Sequence, residues 1–193
     1  MSTRRENNRF LVRFAAVSFL AILTACTHID GPYRGKVVEL ETEKPIEGAV
    51  VAARWTIEPY IRPKKICDAK ETITDKNGDF ELPKGSCFCQ PFAKIDKPLV
   101  VVFKPGYLGY PALGATQEER KAQAPGNTGN EFKKTNEYSV IKLGKPVAKE
   151  ERDLTYLSIV FSDDETINKV PILLRLLNEE RRNYELQEKK NTE

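Results

Sequence analysis

Glu71-Thr-Ile-Thr-Asp-Lys-Asn-Gly-Asp-Phe-Glu-Leu82 is the stretch on which the reading of this chain turns. Glu71 to Thr74 is rich in β-branched residues, and so is strand-like. Asp75-Lys-Asn-Gly78 is polar, and Asn77 and Gly78 both tolerate positive φ, so a β-hairpin is expected there. Asp79 to Leu82 then resumes an alternating pattern, with Phe80 aimed back at a core. The whole reads as strand, turn, strand, with Asp75 capping the turn through its own backbone.

Outward from this segment the pattern repeats. Gly35 to Leu40 and Ala49 to Trp55 are apolar, β-branched runs separated by a polar turn, Glu41 to Glu47, that contains Pro45. Leu99-Val-Val-Val-Phe103 is continuously apolar, which predicts a central strand buried on both faces. Tyr138 to Leu143 is a further strand. Several short strands with turn signals between them predict a mainly β fold, an antiparallel β-sandwich spanning 34–145. Within it, 110–136 is polar and carries Pro125-Gly126, and is expected as a long surface loop.

Beyond residue 150 the period changes from two to that of a helix. Leu154, Leu157 and Phe161 recur at helical spacing, as do Ile167, Val170, Leu174 and Leu177. Pro171 suits a first helical turn, because its missing N–H would be unpaired there anyway. One or two helices are therefore expected in 150–193, followed by a frayed, charged tail.

The amino terminus is of another kind. Arg4, Arg5, Arg9 and Arg13 precede the ten-residue apolar run Phe14 to Leu23, and Leu23-Thr24-Ala25-Cys26 follows. A positive flank, a short apolar core and small residues are the pattern of an export signal, here 1–25. The run is too short for a stable span, which needs about 20 apolar residues. Leu-Thr-Ala-Cys resembles the bacterial lipobox. That resemblance implies cleavage between Ala25 and Cys26, with lipid on the Cys26 thiol and acyl chains tying the product to a membrane. Two or more chains, at about 0.8 kcal/mol per buried methylene, give stable anchoring. Thr27 stands where an Asp often retains such proteins at the inner membrane, which favours the outer one. The stretch 26–33, with Gly31-Pro32, is expected as a lipidated tether.

Charge agrees with this division. The chain carries 31 basic and 28 acidic side chains, and residues 1–25 hold Arg4, Arg5, Arg9 and Arg13 against Glu6, which leaves 27 of each sign afterwards. No basic excess is left to attract phosphate backbones, so no nucleic-acid partner is expected.

Gly35-Lys-Val-Val38, Pro45-Ile-Glu-Gly-Ala-Val-Val51, Thr74-Asp-Lys-Asn-Gly-Asp-Phe80 and Lys104-Pro-Gly-Tyr107 also occur in a telling order. Residues 34–108 resemble the carboxypeptidase regulatory-like domain, a transthyretin-type Greek-key β-sandwich. The resemblance covers about 75 residues and implies a fold more than a function. Domains of this kind mostly sit beside peptidases, in outer-membrane receptors and in surface proteins without catalysis of their own.

The residues that could carry chemistry are few. The one histidine, His28, lies in the expected tether, so histidine-dependent triads and zinc sites lack a member in the domain. No cofactor is expected, and catalysis would rest on carboxylates, Lys or Tyr. Cys67, Cys87 and Cys89 remain after Cys26. Outside the cytosol the expectation is a disulfide. Cys87 and Cys89, if extended, have Cα atoms about 6.5–7 Å apart, awkward for bonding one another. Cys67 should then pair with either, closing a loop worth about 3 kcal/mol. The cysteine left over is expected to be available for intermolecular pairing, with a three-thiolate metal site or a redox thiol as the lesser alternatives. Asp75, Asn77 and Asp79 alternate like the start of a calcium loop, but position 86 is Ser, not the Glu such a loop needs. Trp55, Tyr60 and Tyr110, with Tyr107, form a candidate ligand surface of the kind sugar-binding modules use. Burial is the favoured reading, with Trp55 ending a core strand and Tyr107 packed under the Pro-Gly turn.

The reading that results is a lipid-anchored protein of the cell envelope, held by acylated Cys26 at the outer membrane, facing the periplasm or the cell surface. Its domain would be a non-catalytic binding or structural module with an envelope protein or a glycan as partner. A carbohydrate-binding module is the alternative, and a carboxylate-dependent enzyme a second one.

Overall fold

A computed structural model describes residues 27–88, 93–111, 138–145 and 164–192. They are mainly β. The strands are β1 (Thr27–Asp30), β2 (Tyr33–Glu39), β3 (Val50–Glu58), β4 (Lys65–Ile73), β5 (Asp79–Leu82), β6 (Gly85–Phe88), β7 (Lys94–Ile95), β8 (Leu99–Phe103) and β9 (Ser139–Leu143). The helices are the short α1 (Asp164–Ile167) and the long α2 (Pro171–Thr192).

Three sheets result. One has the order β5-β2-β9; a second has β4 on one side of β3 with β7 and β8 on the other; β1 and β6 make a two-stranded ribbon. Most pairs are antiparallel as expected. The exception is β2 with β9, which run parallel from Gly35↔Ser139 to Glu39↔Leu143. Alternation along β3 explains why its sequence is apolar throughout. Val51, Ala53 and Trp55 join Val37, Phe80, Leu82, Ile141 and Leu143 of the first sheet in one core, with Val100 and Val102. Val50 and Ala52 face the other way, with Ala69, Val101 and Phe103, against Val170, Leu173 and Leu177 at the helix. The molecule is thus layered as sheet, sheet, helix.

β8 is buried on both faces, as its unbroken apolarity predicts. Among the described residues it is not a central strand, however: it pairs with β3 along Val50↔Phe103 to Arg54↔Leu99 and otherwise makes only an isolated bridge, Val102↔Tyr110. The helix covering its outer face, not a second full neighbour, supplies the burial.

The segment 71–82 makes a turn but not a hairpin. Asp75 Oδ1 accepts from the amides of Asn77 (2.8 Å) and Asp79 (3.0 Å), and Gly78 takes φ 78° as its residue type permits. The strands on either side then part. β4 pairs with β3, while β5 pairs with β2 in the other sheet. The local signal specified the turn; which strand each arm joins depends on distant partners. Two of the segments carrying the family resemblance meet here. Thr74 Oγ1 accepts from the Ala49 amide (2.9 Å) and donates to the Ile46 carbonyl (2.7 Å).

At the carboxyl end Pro171 opens α2, as expected. The buried apolar positions are Val170, Leu173 and Leu177, and Leu174 is only half-buried. The first helical pattern, Leu154, Leu157 and Phe161, lies outside the described residues, as does 112–137. The helix continues to Thr192, so the tail expected to fray is helical.

Candidate functional site

The amino-terminal edge concentrates the residues singled out above. Cys26, Ala25 and Cys89 lie outside the described residues. The stretch after Cys26, expected as a tether, is instead the strand β1, running antiparallel to β6 with Thr27↔Phe88 and Asp30↔Gly85 in register. Its backbone has partners because the Gly85–Phe88 strand offers an edge. His28 sits on this strand with its side chain exposed.

Several links fasten the ribbon to the domain. Asp30 Oδ2 accepts from the Tyr33 hydroxyl (2.5 Å) and from Trp55 Nε1 (3.1 Å). Burial, with the hydrogen bond and charge of Asp30 adding to it, holds the Tyr33 hydroxyl far above the ordinary phenol range. Gly85 lies flat beneath Trp55, where a Cβ would come within 2.3 Å of the indole. Cys67 of β4 and Cys87 of β6 form a disulfide, with Cα atoms 5.3 Å apart. Of the two open pairings, Cys67 therefore takes Cys87.

Below the disulfide Asp68 is 4% exposed. Its carboxylate accepts from the amides of Ala69 (2.9 Å) and Ser86 (2.9 Å) and from Lys169 Nζ (3.2 Å), with Lys70 at 3.5 Å. Burial opposes its ionisation, but the Ser86 amide, Lys169, Lys70 and the Ala69 amide together outweigh burial and hold its pKa below the usual carboxylate range. One carboxylate thus joins β4, β6 and the approach to α2.

The aromatic surface does not assemble. Trp55 and Tyr110 are buried at 1% and 2% exposure, filling the core between the sheets. Tyr60 is 85% exposed on the loop between β3 and β4. Tyr107 packs partly against the core, and its hydroxyl donates to Glu39 Oε1 at 3.4 Å. One open aromatic is left of the three, too few for a stacking platform. The acidic turn serves its own backbone, as the bonds to Asp75 show. Asp79 is approached by the Tyr138 hydroxyl and by Lys36 at 3.8 Å.

Asp30, Asp68 and Glu71 were not legible as joining residues. The partners through which they join separate strands lie far along the chain, 25 positions for Asp30–Trp55, 18 for Asp68–Ser86 and 102 for Glu71–Leu173, so no local spacing marks them. Nor did any pattern mark Ile61 and Phe88, which stand exposed at 90% and 69%. None of the described helices is long and apolar enough to cross a membrane. No family model matches this chain, and no curated protein and no solved structure does either.

Proposed function

We propose that this chain is a bacterial envelope lipoprotein, cleaved before Cys26 and anchored by lipid on that thiol. Its domain would be a non-catalytic binding or structural module on a transthyretin-type Greek-key sandwich. The observation that carries the reading is the conjunction of Arg4 to Arg13, the apolar Phe14 to Leu23 and Leu23-Thr24-Ala25-Cys26 in one short stretch. The Cys67–Cys87 disulfide supports it, since such bonds persist outside the reducing cytosol. The shared core of the two sheets supports a sandwich. An outer-membrane address follows from Thr27 after the cysteine, and the partner would be an envelope protein or a glycan.

Intact-mass spectrometry of the membrane-extracted protein tests the anchor. The expected product begins at Cys26 and carries acyl chains, and Cys26→Ala should leave the membrane fraction without them. An unprocessed, unlipidated chain recovered from the cell interior would refute the reading.

A further inference from the structure

Among the described residues the four most exposed large apolar side chains, Ile29, Tyr60, Ile61 and Phe88, lie toward one end of the domain, whereas Ile73, Tyr138, Val140 and Leu186 stand elsewhere. Trp55 and Asp68 are paired across β3 and β4, and Asp30 and Gly85 lie at the same level through the Asp30–Trp55 hydrogen bond and the Gly85–Trp55 contact. From that level β3 runs on to Glu58, and β4 extends back to Lys65. In the same direction β1 extends back to Thr27 and β6 runs on to Phe88, with the Cys67–Cys87 bond holding β4 and β6 alongside. Each step is about 10 Å at 3.3 Å per residue. The Tyr60–Ile61 tip, Phe88 and the start of β1 therefore share one end. Tyr60, Ile61, Phe88 and, a little behind, Ile29 are 85%, 90%, 69% and 61% exposed.

Charge surrounds this apolar tip. Arg62, Lys64 and Lys65 follow Ile61 directly and are exposed. Lys94 pairs with Glu58 in the strand register. Among the described residues the acidic groups at this end are Glu58 and Asp96, and Asp96 is engaged by Lys64 and by Lys94 at 3.6 Å. Among the described residues cations thus exceed anions here, although residues 26–193 carry equal numbers of each. An aromatic and an aliphatic side chain at a loop tip, followed by basic residues, match the boundary of an anionic bilayer. The ring and the aliphatic group reach the acyl boundary while the cations meet headgroup phosphates.

We infer that the Tyr60–Lys65 loop, with Phe88, is a second membrane contact that seats the domain directly on an anionic lipid surface. The inference rests on the proposed lipid anchor. β1 begins at Thr27, one residue after Cys26, and one residue spans at most about 3.6 Å. A domain tied so closely at this end is held against the headgroups with the tip facing them. The apolar tip and its cations then add affinity to the acyl chains and fix orientation.

The test places an indole at the tip. Ile61→Trp substitutes an exposed residue, and the one native tryptophan, Trp55, is buried and serves as an internal background. The variant, expressed as the whole chain and isolated after processing, is reconstituted in phosphatidylcholine vesicles containing phosphatidylglycerol with brominated acyl chains, and vesicle attachment is checked by flotation. The expected result is loss of at least half of the introduced indole's emission to bromolipid, together with protection from aqueous iodide. Equal quenching in purely zwitterionic vesicles overturns the anionic preference. A floating protein whose indole is quenched by iodide and not by bromolipid overturns the contact while leaving the anchor intact. Protection from iodide without bromolipid quenching means that a second copy covers the loop, and overturns it too. A protein that does not float overturns both readings.

Discussion

The carboxylate of Glu71, in the middle of a strand, caps the helix that begins a hundred residues later: its Oε2 accepts from the amide of Leu173 at 2.9 Å, and its Oε1 from the amide of Ile172 at 2.7 Å. The first amides of a helix have no partner within it, and the helix dipole makes that end favourable for an anion. No side chain in the first turn of α2 is acidic. The cap is instead supplied by β4, so the same bond that completes the helix also docks it on the sheet.

Glu71→Ala should therefore cost about 1 kcal/mol, the usual worth of a helix cap. Glu71→Gln, which keeps one acceptor oxygen but no charge, should cost less. Urea unfolding followed by circular dichroism measures both. Equal midpoints for the wild type and Glu71→Ala would mean that the cap contributes nothing.

Asp68 sets a pH dependence. Its pKa is held below the ordinary carboxylate value, so the stability it contributes is complete above about pH 4 and is lost as pH falls through the lower folded-state value. Asp68→Asn should destabilise the protein at pH 7 by about 2 kcal/mol, since amides bonded to a charged group lose that partner. The difference between the variant and the wild type should shrink as the pH is lowered below 4. A gap that stays constant from pH 7 to pH 2.5 would assign the effect to packing.

Gly85 lies where no side chain fits, with the nearest indole carbon 2.3 Å from a Cβ built there. Gly85→Ala must push Trp55 or the ribbon aside, at about 1–3 kcal/mol. Because Trp55 also holds Asp30, the β1–β6 ribbon should loosen with it. Faster amide hydrogen exchange in Thr27–Asp30 is the specific signature, and unchanged exchange there would refute the coupling.

Leu173 and Leu174 are adjacent and chemically identical, yet only Leu173 belongs to the core between the helix and the second sheet. Leu173→Ala should cost about 3 kcal/mol and Leu174→Ala about 1 kcal/mol or less. Thermal unfolding of the two variants checks the order. A reversal would move the buried face of α2 by one residue.

Much was legible in the residues alone. The β-branched runs located the strands, Asn77-Gly78 located a turn, and Pro171 located the start of a helix, because each is a preference of a few neighbouring residues for certain backbone angles. The proposed anchor at Cys26 is read in the same way, from a local succession of charge, apolar length and small side chains. Periodicity was less decisive for α2, where helical spacing pointed to Leu174 and the packed face holds Leu173. Two adjacent leucines are equivalent to a pattern and become distinct only when a sheet lies against one of them.

The amino-acid sequence by itself determined that this is a mainly β chain with a helical end, since those properties depend on side chains within a turn or two of each other. Only the tertiary structure decided that the arms of the Asp75–Gly78 turn enter different sheets, that β9 lies parallel to β2, that Cys67 bonds Cys87 and that Thr27–Asp30 is a strand. Each of these is a pairing between segments far apart along the chain. Its free energy comes from burying both surfaces together, so neither partner alone carries its mark.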